Sequence, residues 1–352
     1  MAYQNVSTPR FYVDELSWFR SNGVNIYLSQ TSANWHTVSG EMDNIFGLTP
    51  SNRVEIAIDG NHGNDTIYIK NQDFNWKAGY NYFVAVLGHN FKSFNGWYRM
   101  DAYTGTPDNT SYYPTPIING ENGLSSGLYP DYNGFTIATY ISKDTEVWRF
   151  QINPIGASDY TNTEGAEYTG NLKMGSVTIG RYFDMPHSPD LKLTMSREMD
   201  GVKRIRTKGG ADLVNHRYTK SPPWGNAGAW ELYTGTPNHA LSRSGRRVWD
   251  LSFSYLQDSD LFPDVSSLSN YETAGYSDGD SVTDNTLLNE DTFFSQVIHK
   301  TQGGKLRFLF QPDKNNNNPD QFAIAKLDMK SFKFSQVANG VYNVKLKIRE
   351  VW

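Results

Sequence analysis

Residues 305–352 read KLRFLFQPDKNNNNPDQFAIAKLDMKSFKFSQVANGVYNVKLKIREVW. Four segments within it, KLRFLFQPD, QFAIAKLD, SFKFSQV and VYNVKLKIREVW, alternate apolar and polar residues at period two, the spacing of a strand that buries one face. Immediately upstream, Phe293, Phe294, Val297 and Ile298 fall on one helical stripe within residues 289–302. Asn289 stands where an N-cap is expected and Gly303-Gly304 where a helix stops, because glycine accepts the left-handed backbone of a C-terminal cap. Before the helix, RRVWDLSFSYL (residues 246–256) is another long alternating strand. The C-terminal part of the chain is therefore a β domain that contains one short helix.

The order long strand, helix, then three or four strands ending in I-R-E-V resembles the tail-tube-like fold of bacteriophage distal-tail and baseplate-hub proteins, over residues 187–352. RRVWDLSF, the Phe-Phe pair and the closing strands carry the resemblance. It implies a virion structural protein without enzymatic activity, synthesised in the host cytoplasm. Its partners would be identical subunits in a distal-tail or baseplate ring and other phage tail proteins.

Composition agrees with a β-rich chain. The 352 residues include 22 Tyr, 19 Phe and 9 Trp, and aromatic residues fit the pleated, half-buried surface of a strand. Thirty glycines, with many Asn, Asp and Ser, supply turns. A formal net charge of −5, from 32 basic and 37 acidic residues, argues against a generic phosphate-binding surface, so nucleic acid is not the expected partner. The absence of cysteine excludes disulfides, thiolate metal sites and cysteine nucleophiles. No apolar run approaches the ~18 residues needed to span a bilayer, and MAYQNVSTPRFYVDEL lacks the basic start and apolar core of a signal peptide. Membrane insertion is not expected.

Residues 1–52 lack regular strand spacing and read as an arm or a partial module. From Arg53 onward strand candidates come quickly: VEIAI (54–58), TIYIK (66–70), YFVAVLG (82–88), WYRMDAY (97–103), FTIATYI (135–141), EVWRFQI (146–152) and SVTIGRYF (176–183). Short strands separated by Gly, Asn and Asp turns predict a β-sandwich or jelly roll over residues 53–186, with a long loop across 104–133. YNYFVAVLGHNF (80–91), EVWRFQI and SVTIGRYFDMP (176–186) resemble the signatures of galactose-binding-like (discoidin-like) jelly rolls. That resemblance implies a host surface glycan as a further partner, bound by variable loops. On the residues alone, His89-Asn90 turn the chain after a strand and Gly180 permits close backbone approach.

Three groups of side chains are candidates for function. Lys203, Arg204, Arg206 and Lys208 form the densest basic run, on the return strand of a hairpin expected to turn at Asp200-Gly201. They form either a solvated face, or a ring lumen or a subunit contact with an acidic partner. Trp97, Tyr112 and Tyr113, with Tyr98, Tyr129 and Tyr132, border or occupy the 104–133 loop, where rings stack on sugars or pack the loop down. Asp59, Asn61, Asn64 and Asp65, and Asp278, Asp280 and Asp284, could offer oxygens to calcium, although neither run has the twelve-residue loop that ends in Glu. No other cofactor is indicated.

The seven histidines show no zinc or iron spacing, and no G-x-S-x-G, P-loop or dinucleotide fingerprint occurs. Three functions remain in view. The first is a tail structural protein, the second a glycan-binding adhesin or capsid-decoration protein, and the third a polysaccharide-cleaving tail enzyme with two carboxylates distant in sequence.

Overall fold

The computed structural model describes residues 6–30, 35–58, 65–71, 79–103, 115–122, 127–141, 147–155, 167–199, 202–216, 224, 229–230, 245–263, 287 and 290–352. The first strands are β1 (Arg10–Val13), β2 (Ile26–Gln30), β3 (Trp35–Ser39), β4 (Val54–Ile58), β5 (Asp65–Asn71), β6 (Asn81–His89) and β7 (Gly96–Tyr103). Then come β8 (Thr115–Ile118), β9 (Glu121–Asn122), β10 (Leu128–Tyr129), β11 (Gly134–Ile141), β12 (Val147–Pro154), β13 (Leu172–Met174) and β14 (Ser176–Asp184). The last are β15 (Thr194–Glu198), β16 (Val202–Arg206), β17 (Asp212–His216), β18 (Arg246–Gln257), β19 (Phe308–Gln311), β20 (Ala323–Leu327), β21 (Phe334–Ala338) and β22 (Val341–Glu350). The expected all-β class is what the chain adopts. Short helices α1 (Glu15–Ser21), α2 (Phe91–Phe94) and α3 (Asp258–Leu261) punctuate it.

An eleven-stranded antiparallel sheet runs β15-β18-β22-β20-β19-β1-β14-β6-β11-β8, with β21 added to β22. A six-stranded sheet, β2-β5-β12-β7-β10-β9, and a three-stranded sheet, β13-β4-β3, accompany it. The packing is sandwich-like. Strand β6 shows why: Tyr82, Val84 and Val86 face a core shared with Ile67, Ile69, Phe150 and Ile152, while Phe83, Ala85 and Leu87 face a second core with Phe135 and Ile137. A strand buried on both faces reads as an unbroken apolar run, and NYFVAVLGH is one. A third core lies between β1, β18, β19, β20 and β22 and the helical turn that follows Thr292.

The expected separation into an arm, a jelly roll and a C-terminal module is not reflected in separate sheets. β1, from the presumed arm, pairs on one side with β14 and on the other with β19, so one sheet passes through all three segments. Phe11 and Tyr12 within it are fully buried. Gly180 permits this junction, since a Cβ there would lie 1.9 Å from the Val13 carbonyl oxygen. The close approach expected at Gly180 thus joins β14 to the N-terminal segment.

The expected helix over 289–302 is a π-helical turn, Phe294–His299. Asn289 lies outside the described residues, and Thr292 precedes the turn, its hydroxyl oxygen accepting from the Ser295 N–H at 3.3 Å. Gly303 and Gly304 end it with φ of 65° and 96°, as the sequence led one to expect. The span 104–133 is not one loop: β8, β9 and β10 lie inside it. Asn119 fixes its described part, donating to the carbonyls of Tyr132 and Phe135 and accepting from the N–H groups of Asp131 and Tyr132.

Candidate functional site

The basic run occupies a two-stranded ribbon, β16–β17, that pairs with no other described strand. Its turn closes through Thr207, whose backbone N–H donates to the Ala211 carbonyl at 2.8 Å and whose hydroxyl accepts from the Ala211 N–H at 3.0 Å. Gly210, at φ 85°, supplies the left-handed residue. The expected turn at Asp200-Gly201, which lies outside the described residues, does not pair the strands around it. β15 is taken by β18, in register from Thr194 opposite Asp250 to Glu198 opposite Arg246. The twelve-residue β18 is anchored by the buried Trp249 and offers a longer partner than five-residue β16 can. β16 then folds back on the segment after it.

Register decides what the ribbon displays. Arg204 opposes Val214 and Arg206 opposes Asp212 on one face, while Lys203 opposes Asn215 and Ile205 opposes Leu213 on the other. The first face is basic and the second has an apolar centre. Ile205 is 61 % exposed and Leu213 58 %. Lys203, Arg204, Arg206 and Lys208 are exposed, and none of them forms an ion pair among the described residues. Leu191, Met195 and Met199 extend the exposed apolar surface toward the ribbon along β15, the end strand of the large sheet. The sequence marked the arginines and passed over Ile205 and Leu213, whose signal was their alternation with charge.

The aromatic candidates behave differently. Trp97 is 1 % exposed, stacks on Tyr129 at 5.2 Å and donates from Nε1 to the Pro154 carbonyl, so it is a packing residue and presents no platform to a sugar. Gly127 accounts for the fit, because a Cβ there would sit 2.3 Å from the Trp97 ring. Tyr98 is fully buried, and Tyr132 packs edge-on against Phe135. Tyr112 and Tyr113 lie outside the described residues. So do Asp59, Asn61 and Asn64, together with Asp278, Asp280 and Asp284. Asp65 begins β5, its backbone paired opposite Ile152.

His89 and Asn90 do turn the chain, with added roles. His89 is buried between Thr136 Oγ1 at 2.9 Å and the Phe91 N–H, and burial pushes its pKa down to about 3. Thr136 donates its own proton to the Asn119 carbonyl, so His89 is the neutral tautomer that carries hydrogen on Nε2. Asn90 accepts from the Lys173 N–H and donates to the Asn171 carbonyl, which ties β13 to the end of β6.

Sequence reasoning also missed a charged node inside the protein. Glu15, at the start of α1, receives Lys300 Nζ on Oε1 and stands 3.7 Å from Arg181 Nε. Each of the three is 1 % exposed. Lys300 also donates to Gln296 at 2.9 Å, and the Arg181 guanidinium lies 3.8 Å from the Tyr80 ring centre. Burial outweighs the attraction of Glu15 and holds the Lys300 ammonium down to about pKa 8. Isolated charges give no sequence signal of this kind, because their partners lie 285 residues apart. No helix among the described residues is long and apolar enough to cross a membrane. No protein-family model matches this sequence, and no curated protein is detectably similar to it.

Proposed function

We propose that this protein is a non-enzymatic structural component of a bacteriophage tail, which forms a ring with identical subunits at the distal tail or baseplate and contacts other tail proteins there. The observation that carries the assembly reading is the ribbon β16–β17. An isolated two-stranded hairpin is at best marginally stable in water, and this one exposes Ile205 and Leu213 on one face. Such an element gains order when a neighbouring surface covers it. The phage-tail part of the reading rests on the tail-tube-like resemblance of residues 187–352 and the jelly-roll resemblance of residues 53–186. The burial of Trp97 weakens the sugar-binding alternative at that position.

Negative-stain imaging and sedimentation of the purified full chain test the proposal. Closed rings of one size support it. A chain that remains monomeric at all accessible concentrations and binds a surface glycan would move the reading to an adhesin. One that shortens a polysaccharide, with loss of the activity on substitution of a single carboxylate, would move it to an enzyme.

A further inference from the structure

Glu15 and Lys300 are buried together with fewer hydrogen-bond partners than two ions need. Glu15 Oε2 is buried and accepts no hydrogen bond among the described residues. The Lys300 ammonium has three protons, and two side-chain acceptors meet them, Glu15 Oε1 and Gln296 Oε1, while the Trp18 ring centre lies 5.8 Å away. Buried polar atoms are ordinarily satisfied, and a partly satisfied buried ion pair is costly, so the orphan oxygen calls for an explanation. An amide between the two side chains would carry one oxygen and one N–H. That is the number of polar atoms the surroundings match.

The neighbours are arranged for such a bond to form. Glu15 opens α1 directly after β1, and β14 lies close against it: a Cβ at Gly180 would stand 3.1 Å from Glu15 Cγ, so glycine leaves room for the carboxyl stem. Lys300 ends the π-helical turn, and Gln296, four residues before it, holds its nitrogen at 2.9 Å. An amine bonded to a carboxyl oxygen stands near the carboxyl carbon, within reach of the near-attack separation of about 3–3.5 Å. Burial holds the Lys300 ammonium down to about pKa 8, which makes a neutral, nucleophilic amine accessible near neutral pH. Arg181, its Nε 3.7 Å from Glu15 Oε1, is placed to stabilise negative charge on the oxygen of a tetrahedral intermediate.

Independently of the assembly reading above, we infer that Lys300 Nζ and Glu15 Cδ condense within the folded chain into an isopeptide bond. Nζ passes one proton to the carboxyl oxygen it bonds, and its lone pair then attacks Cδ. A second nitrogen proton moves to the hydroxyl of the tetrahedral intermediate, which leaves as water. One C–N bond forms, one C–O bond breaks, and nothing is oxidised or reduced. The nitrogen keeps its third proton for Gln296 Oε1. One cation and one carboxylate disappear together, and Arg181 retains the Tyr82 hydroxyl at 3.2 Å, the Tyr80 ring and Asp291, which lies within its electrostatic reach. A chain without cysteine thereby gains a covalent tie across 285 residues, from the first strand to the segment before the last four. Closing so long a loop restricts the unfolded chain.

The experiment is an intact-mass measurement on the purified, folded full chain, followed by denaturation and tryptic digestion. The wild type should be lighter than its sequence by one water, and residues 11–20 should be recovered joined to the peptide that contains Lys300, uncleaved after that lysine. Lys300→Arg keeps a cation whose guanidinium stays protonated and cannot attack, so it should show the full sequence mass and no joined peptide. A wild type of full sequence mass after prolonged incubation at mildly alkaline pH overturns the inference, and needs no variant to fold. So does a loss of one ammonia with Lys300 joined to Gln296, or a loss of water that persists in Lys300→Arg.

Discussion

Two concentrations of positive charge among the described residues are built in opposite ways. On the ribbon, Lys203, Arg204 and Arg206 are consecutive or nearly so in sequence, exposed, and held by a two-stranded sheet alone. In the interior, Arg181 and Lys300 come from distant segments, are 1 % exposed, and share one carboxylate, Glu15. Solvent screens the first group, so its charges contribute little to folding and remain available to a partner. The second group has lost its water, and each member depends on the others. A dense charge run is legible because it is local, and for the same reason it bears lightly on stability.

The comparison can be broken at several points. The largest effect should come from deleting residues 345–352, which removes the part of β22 that pairs with both β18 and β20. Leu346 and Ile348 leave the core with it, and Arg247 loses Glu350, which it grips through its backbone N–H, Nε and Nη2. No cooperative unfolding transition should remain, and a deletion that still melts sharply would show that the sheet does not depend on this strand.

Next comes Lys300→Met. Removing one partner of a buried ion pair generally costs about 3–5 kcal/mol, because the other charge is left uncompensated. Denaturant unfolding measures it, and a cost below about 1 kcal/mol would remove the distinction between interior and ribbon charge. A cycle with Glu15→Gln should be strongly non-additive.

A smaller effect is expected at Asp14, the buried N-cap of α1, whose side chain accepts from the Ser17 N–H. Burial pushes its carboxyl from 3.8 up to about 6. A folded-state pKa above the unfolded one means the native state holds the proton more tightly. The associated stability is complete below about pH 4 and is lost as pH rises through about 6. Asp14→Asn keeps the capping oxygen and should flatten the stability profile between those values. An unchanged slope would assign it to another group.

The smallest effect belongs to the ribbon. Arg204→Glu with Arg206→Glu should change the unfolding free energy of the separated subunit by less than about 1 kcal/mol, in contrast to Lys300→Met. A large loss would mean that the ribbon packs against the body of its own subunit.

Much of the fold was legible in the sequence. VEIAI, YFVAVLG, EVWRFQI and SVTIGRYF are strands because their apolar patterns are local, and Gly303-Gly304 stops a helix for reasons carried by two residues. What escaped depends on partners far along the chain. RFYV looked like part of an arm, since four residues carry no period worth reading, yet β14 and β19 claim it from both sides. The hairpin turn was misplaced because Asp200-Gly201 is a good turn signal that cannot announce the prior claim of β18 on β15. At the candidate site, the arginines were visible as a run. Ile205 and Leu213 were hidden, because an exposed apolar pair appears only when two strands are aligned.

The position of β1 has a consequence for how the protein is made. Tyr12 bonds Gln311 through its hydroxyl across 299 residues, and Arg10 to Val13 align with 308–311. At roughly 5–20 residues per second, a ribosome needs about 15–60 s to supply that partner after the first strand has emerged. Until β14 is made RFYV has no partner at all, and from then until β19 arrives it has an empty place on one side. Nascent chains on one messenger would carry the same unfilled edge at the same time, so the cell must keep them apart until the last fifty residues arrive, and a message broken before codon 308 would yield only chains that can never complete the sheet.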